Sequence, residues 1–447
     1  MNDINQETMQ QSQQESEQKN EEKLREIKEQ KKRDSAGKRN WFLGGMFAGL
    51  LVALLISTVT FLVGSARSGG MKPTLKNNVP AGTGASSEEE SVLSDEVENK
   101  LQLLESSIKE YYLSGTTNEE LELGLYKGIV EALNDPYSAY YTPEELAQLQ
   151  ESSSGIYYGI GAYVGIDPDT TYAKITSVIE NTPAQEAGLQ AEDVIVSVDG
   201  QSTKGLSTTD VVKLIKGEEN TDVVLTIYRI GETDYLDITV TRRKVEAPTV
   251  NYEMLEGGIA YIQIMQFEQV SGSQFRESIA KAREEGMKGL ILDLRNNPGG
   301  TLSSVVEIAN QLLPEGLIVY TEDKNGEREE FRCSGEHELE VPLVVLVNEN
   351  SASASEILAG AIKDHGTGTL LGTTTFGKGI VQKVFGITDG SAIKLTISHY
   401  YTPKGNDIHK VGIEPDETLE LDVEQYLDGT DNQLQRAEEI LAGEIKE

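Results

Sequence analysis

The sequence predicts an α/β protein with a separate β-rich segment ahead of its main sheet and one transmembrane helix near its start. Three patterns carry that expectation. From residue 255 to 400 the helical stretches SGSQFRESIAKAREEG and SEILAGAIKDHG separate the apolar runs KGLILDLRNN, VPLVVLVNEN and TGTLLGT. Such alternation is the mark of a mostly parallel sheet with helices on its faces. From about residue 155 the runs are shorter and strand-like: AKITSVI, DVIVSVDG, DVVLTIYR and YLDITVTR, with TPAQEAGL and STTDVVKLIKG the helical pieces among them. Residues 41–64, WFLGGMFAGLLVALLISTVTFLVG, hold 24 residues without a charge. That is long enough to span a hydrocarbon layer of about 30 Å.

Residues 1–40 are polar, rich in Gln, Glu and Lys, and lack apolar periodicity, so they read as a disordered tail with a basic end, KKRDSAGKRN. The apolar run 41–64 follows, with Trp41 and Phe42 where interfacial aromatics stand. Lys and Arg cluster before it and only Arg67 follows closely. By the positive-inside rule the N-terminus is cytoplasmic and the rest of the chain lies outside, as in a single-pass plasma-membrane protein. A cleaved signal peptide is the rival, with Gly64–Ala66 as its cleavage site, but the leader and the apolar run are both too long for one. Residues 65–94 are rich in Gly, Ser and Pro and read as a flexible linker.

Residues 95–152 form an N-terminal helical segment. VENKLQLLESSIKEYYL and NEELELGLYKGIVEAL carry apolar residues near helical spacing. NDPYSAYYTPEEL is a turn and a helix start, with Thr142 as N-cap and Pro143 at the first helical position. Residues 153–243 hold the short strands, 244–422 the alternating region, and 423–447 an acidic helical tail.

A length of 447 residues suggests two to four domains. Lys+Arg is 39 against Asp+Glu 74, a formal charge of −35, which repels phosphate backbones and argues against a nucleic-acid partner. Cys333 is the one cysteine, so neither an intrachain disulfide nor a cysteine zinc site can form. The histidines, at 337, 365, 399 and 409, show no short-range metal spacing, and no metal or cofactor is expected.

Three stretches can carry chemistry. In LVVLVNENSASASEILAGAIKDHG an apolar strand ends at Val347 and a helix begins near Ser353. Ser353 and Glu356 have capping-box spacing, so the plain reading of Ser353 is a helix cap. The same place, outside the carboxyl end of a parallel strand, is where α/β enzymes put reactive groups, and the Ala354 N–H at the helix start can stabilise an oxyanion. A serine needs a base. The four histidines are candidates without a motif beside them, and Lys378 is the other.

GTTTFGKG, residues 372–379, matches a phosphate-binding loop up to Lys378. Gly379 then stands where Ser or Thr should be, and the strand-like IVQKVFG follows in place of a helix, which removes the nucleotide reading. As a base Lys378 must be neutral near pH 7, and burial drives its pKa in that direction. Gln382 can hydrogen-bond the amine without adding charge, and strand alternation puts Lys378, Ile380 and Gln382 on one face. In ILDLRNNPGGTL the Gly299-Gly300 turn exposes N–H groups fit for an oxyanion, or is an ordinary turn.

NPGG, NSASASEILAGAIKD, GTTTFGKGIVQ and YYTPKGNDIHKVGIEPD together resemble the carboxyl-terminal processing protease family. NDPYSAYYTPEEL resembles the family's segment before its PDZ domain, and TPAQEAGLQAEDVIVSVDG resembles a bacterial protease PDZ domain. The likeness runs from about 95 to 420.

The resemblance implies a crotonase-like α/β protease core over 244–422, an inserted PDZ domain over 153–243 and a serine–lysine dyad. The implied nucleophile is Ser353, the base Lys378, with Gln382 positioning it. The implied oxyanion hole uses the N–H of Ala354 and of Gly299 or Gly300. The implied PDZ site for a substrate's apolar C-terminus is YGIGA, with Gly159, Ile160, Gly161 and Ala162. Lys216 stands where the family usually has an arginine that couples this domain to the active site; lysine lacks the bidentate fork. His399 stands where Arg is common. The implied function is a membrane-anchored endopeptidase acting on proteins with apolar C-termini, with helical ends through which family members can dimerise. The rival class is a PDZ adaptor on a dead protease fold, which should have lost Ser353, Lys378 or Gln382; all three are present.

Overall fold

The computed structural model describes residues 92–445. The expected tail 1–40, the transmembrane run 41–64 with its cleaved alternative, and the linker up to residue 91 lie outside the described residues. Among the described residues no helix is long and apolar enough to cross a membrane.

Two helices open the described chain, α1 (Asp95–Tyr111) and α2 (Asn118–Glu131), capped by Ser94 and Thr117. No residue of α1 is buried, and in α2 only Val130 is. A short strand β1 (Ala139–Tyr141) and helix α3 (Pro143–Ser154) follow. As expected, Thr142 caps α3: its hydroxyl accepts from Glu145 N–H, and the Glu145 carboxylate accepts from Thr142 N–H.

The β-rich segment runs through β2 (Ile156–Gly159), β3 (Ala162–Ile166), β4 (Ala173–Val178), α4 (Pro183–Glu186), β5 (Val194–Val198), β6 (Gln201–Ser202), α5 (Thr208–Ile215), β7 (Asp222–Tyr228), β8 (Leu236–Thr241) and β9 (Arg243–Glu246). Its main sheet has the order β3-β4-β5-β7-β8, with β6 on β5; β2 and β9 form a separate antiparallel ribbon. Alternation in β7 buries Val223, Leu225 and Ile227 in the segment's own core, with Ile175, Ile195 and Val211.

The second half comprises β10 (Val250–Leu255), β11 (Ile259–Ile264), α6 (Ser271–Glu284), β12 (Gly289–Asp293), α7 (Leu302–Ala309), β13 (Gly316–Asp323), β14 (Arg328–Cys333), β15 (Leu343–Val347), α8 (Ala354–His365), β16 (Thr369–Gly372), β17 (Ile380–Gly386), β18 (Ala392–Tyr401) and β19 (Glu417–Thr418). The sheet β10-β11-β12-β15-β16-β19 is parallel apart from its edge strand β10, as the alternation predicts. Every residue of β12 and β15 is buried, which is why both read as unbroken apolar runs.

A second, antiparallel sheet was not foreseen. Its order is β1-β18-β13-β14, with β17 on the other edge of β18. The expected single C-terminal helix is two, α9 (Val423–Leu427) and α10 (Asn432–Glu444), separated by Gly429 at φ 90°. α10 packs Ala437 and Leu441 on the back of the parallel sheet, against Ile291, Val344 and Leu371.

Candidate active site

β15 ends at Val347, and the chain turns through residues 348–353 into α8. Three serines lie in this turn and the first turn of α8: Ser351, Ser353 and Ser355. Ser351 Oγ donates to Leu294 O (2.8 Å), and Ser355 Oγ donates to Asn297 O (2.9 Å). Both therefore staple the turn to the loop after β12. Ser353, the middle one, has φ 54° and ψ −110°, a backbone position a non-glycine residue takes only under constraint.

The constraint is a carboxylate. Glu356 is fully buried, and it accepts from the N–H groups of Ser353 (2.8 Å), Gly377 (2.7 Å) and Lys378 (2.8 Å) and from Thr375 Oγ (2.6 Å). One side chain thus joins the serine turn to the GTTTFGKG turn. The Tyr400 hydroxyl adds a second joint, lying against the carbonyl oxygens of both Ser353 (3.1 Å) and Lys378. Burial pushes the Glu356 carboxyl up, and the four donors oppose that. In the sequence Glu356 carried only the signal of a capping box; its bonds to residues 375–378 had none.

Lys378 is 1% exposed. Burial pushes its amine down to about 8, against the pull of the Glu356 and Asp135 carboxylates. The flanking glycines are required: Gly377 has φ 88°, and a Cβ on Gly379 would come within 2.6 Å of His409 N. Gln382 is fully buried on β17, but its hydrogen bonds differ from the expected one. Nε2 makes only long contacts, to Thr396 Oγ1 (3.4 Å) and Ile380 O (3.5 Å), and Oε1 has no hydrogen-bond partner among the described residues. Thr396 Oγ1 in turn donates to Asp135 Oδ2 (2.6 Å).

His365 and the His399–His409 pair make contacts of their own. His365 Nε2 meets Leu317 O at 2.8 Å, and the rings of His399 and His409 stand edge to face, 5.4 Å apart.

The loop after β12 supplies the facing wall. Asn297 O accepts from Ala352 N–H (3.0 Å) as well as from Ser355, so the two loops are bound along their length. Gly299 lies against the serine: a Cβ there would be 2.8 Å from Ser353 Cβ and 3.0 Å from Ala354 N. The two glycines left open by the sequence now differ. Gly299 N–H donates to Asn297 Oδ1 (2.9 Å) and is spent. Gly300 N–H carries no bond within the described residues, and neither does Ala354 N–H have an acceptor one turn back, being the first residue of α8. A small apolar cavity of about 20 Å³ lies beside them, lined by Leu302, Ile357, Ile380 and Val381 together with Ser353 and Gly300.

In the β-rich segment, Gly161 has φ 83°, and a Cβ there would run into Thr182. The carbonyls of Ile160 and Gly161 are taken by Ala184 N–H (2.7 Å) and Ile179 N–H (3.0 Å), while their own N–H groups have no partner within the described residues. The Ile160 side chain itself is buried in the core. Gly159 and Ala162 are strand residues, paired with Arg243 and Val178. The Lys216 stem lies beside Gly159, while its Nζ pairs with Glu151 of α3 at 2.9 Å and lies 4.9 Å from the Tyr157 ring centre.

Residues 258–419 match the model of peptidase family S41, and residues 174–229 match a PDZ domain. A carboxyl-terminal-processing protease of Synechocystis sp. is 37% identical over 73% of this chain and 78% of its own. A probable CtpA-like serine protease of Staphylococcus aureus is 33% identical over 87% of this chain and 74% of its own. Among solved structures, the photosystem II D1 C-terminal processing protease is 33% identical, with a TM-score of 0.41 over 66% of this chain and 80% of that one. With a serine held at a strand-to-helix turn and two relatives of this extent, the chain belongs to the carboxyl-terminal processing proteases, PDZ-bearing serine peptidases of family S41.

Proposed function

We propose that this chain is a membrane-anchored endopeptidase, active outside the plasma membrane, that takes hold of protein C-termini with its PDZ domain and cleaves with a Ser353–Lys378 dyad. The observation that carries the dyad is the buried Glu356, which accepts from the N–H of both residues and so fixes their turns to one another. Neutral Lys378 takes the Ser353 hydroxyl proton as Oγ attacks the scissile carbonyl. The oxyanion is received by the N–H groups of Ala354 and Gly300. Lys378 then gives the proton to the leaving amine, and water hydrolyses the acyl-enzyme by the same route in reverse. The apolar cavity beside Ser353 suits a small apolar side chain on the acyl side of the cut. The free N–H groups of Ile160 and Gly161 suit a terminal carboxylate.

With Lys378 near 8, roughly a tenth of it is neutral at pH 7, and activity rises as pH rises through that value. Cleavage of a peptide with a free apolar C-terminus should vanish in Ser353→Ala and in Lys378→Ala. Activity in purified Lys378→Ala would end the dyad reading. The anchor rests on the uncharged run 41–64. Cell fractionation should leave the full-length chain in the membrane with its N-terminus intact. A mature protein beginning after residue 66 would show a cleaved leader instead.

A further inference from the structure

The stretch NDPYSAYY, residues 134–141, has no part in the reaction scheme, yet the fold lays it over the catalytic amine. It is fastened to β18 at both ends. At its start Thr396 Oγ1 donates to Asp135 Oδ2 (2.6 Å) and Thr396 N–H donates to Ser138 Oγ (3.2 Å). At its end β1 pairs Ala139, Tyr140 and Tyr141 with Lys394, Ile393 and Ala392. Asp135 also accepts from Tyr137 N–H (3.0 Å) and Ser138 Oγ (2.6 Å), which draws residues 135–138 into a tight turn. Tyr137 stands on that turn, and its ring centre is 4.6 Å from Lys378 Nζ. The lysine is buried, while Tyr137 is only half-buried.

An aromatic ring over an amine acts in two opposed ways. Its face attracts an ammonium, and its body keeps out the water that would solvate one. We propose that Tyr137 is a positioning residue for the reaction: its ring covers the Lys378 amine on the solvent side and keeps it dry, so that it stands ready as a neutral base. The inference rests on the Ser353–Lys378 reading above.

The other titratable groups around this amine come from several elements. Asp135 belongs to the same segment and Glu356 to α8. Lys394 stands on β18 under Tyr141, whose ring centre is 5.3 Å from its Nζ. The Tyr400 hydroxyl, also on β18, lies against Lys378 O, and the His409 backbone lies against Gly379. Burial is the largest influence on Lys378 and acts downward, against the pull of the Glu356 and Asp135 carboxylates. Dryness therefore outweighs attraction for an ammonium at this site. The Tyr137 hydroxyl is itself pushed up by burial and then by Asp135 and Glu356, so it stays protonated and brings no charge to the amine. What the ring supplies is cover, and a ring without a hydroxyl would supply it equally.

The test is the pH dependence of kcat/KM for cleavage of β-casein by the full-length chain, parent and variants side by side, from about pH 6 to about pH 10 to bracket a free lysine. Tyr137→Phe keeps the ring and should leave the ascending limb in place. Tyr137→Leu keeps water out without a ring face, so its limb should lie no higher than the parent's. Tyr137→Ala admits water and should move the limb up by about one unit, roughly a tenfold loss at about pH 7 that closes toward about pH 10. If Tyr137→Ala does not fold, Tyr137→Val, also too short to cover the amine, serves in its place. A folded Ala or Val variant whose limb is unmoved, whatever its rate, overturns the inference and leaves Tyr137 a packing residue. A limb that moves as far in Tyr137→Phe as in Tyr137→Ala overturns it too, because the hydroxyl would then be the active part. Activity in Lys378→Ala would instead overturn the dyad on which it stands.

Discussion

Ser353 is held in a backbone conformation that costs about 1–3 kcal/mol, and the surrounding bonds must over-determine it. Glu356 does so with both oxygens, each receiving two donors: Thr375 and Gly377 on Oε1, Ser353 and Lys378 on Oε2. An amide cannot replace it. Whichever way the side chain of Glu356→Gln turns, its NH₂ faces two donors that then lose their acceptor, at about 1–3 kcal/mol for each buried group left unpaired. The serine and lysine turns would separate slightly, and misplacement on the scale of an ångström costs about a hundredfold in rate. We expect kcat of Glu356→Gln to fall by about that factor, with peptide binding at the PDZ domain unchanged by calorimetry. A kcat within threefold of the parent would mean that Glu356 is only a helix cap.

At the scale of elements, what could be read in advance was what is local. β12 and β15 are buried on both faces and so spell continuous apolar runs, and α3 announces itself by Thr142, Pro143 and Glu145. The serine turn was legible by its run of polar residues between an apolar strand and a helix, and the lysine turn by its glycines. The antiparallel sheet was not, since β1 pairs with β18 across more than half the chain and is too short to show a period. The bond from Thr396 to Asp135 spans 261 positions, and nothing near Asp135 in the sequence signals it. The same holds for the clamp on the C-terminal helices. Arg295 binds Asp293 beside it (2.7 Å) and Asp431 (2.8 Å) 136 positions away, and Tyr261 hydroxyl donates to Asp293 (2.7 Å). Charges this far apart in sequence look like surface charge until the fold brings them together. The choice between Gly299 and Gly300 was likewise invisible, because it depends on the Asn297 side chain taking one N–H and not the other.

For the whole molecule, the segment 135–155 is the shared part. Its Tyr137 ring stands over Lys378 and its Asp135 carboxylate acts on that amine, its Glu151 pairs with Lys216, and its Gly155 leads into β2. The Lys216–Glu151 pair is about one-third exposed on each side, so on its own it is worth little. If the PDZ domain captures peptide as proposed, the energy then comes from the loop itself, through the N–H groups of Ile160 and Gly161 that have no partner within the described residues. Hydrogen bonds to a charged group contribute about 1.5–3 kcal/mol. Amidating the substrate's C-terminus should accordingly lower kcat/KM by about ten- to a hundredfold at low substrate concentration. Gly161→Ala forces a Cβ into Thr182 at a left-handed φ and distorts that loop. It should show the same loss with the free peptide and no further loss on amidation. Short peptides that cannot reach from the PDZ domain to Ser353 should be cut by Gly161→Ala at the parent's rate. Equal kcat/KM for free and amidated substrates in the parent chain would mean that the two domains do not act on one substrate.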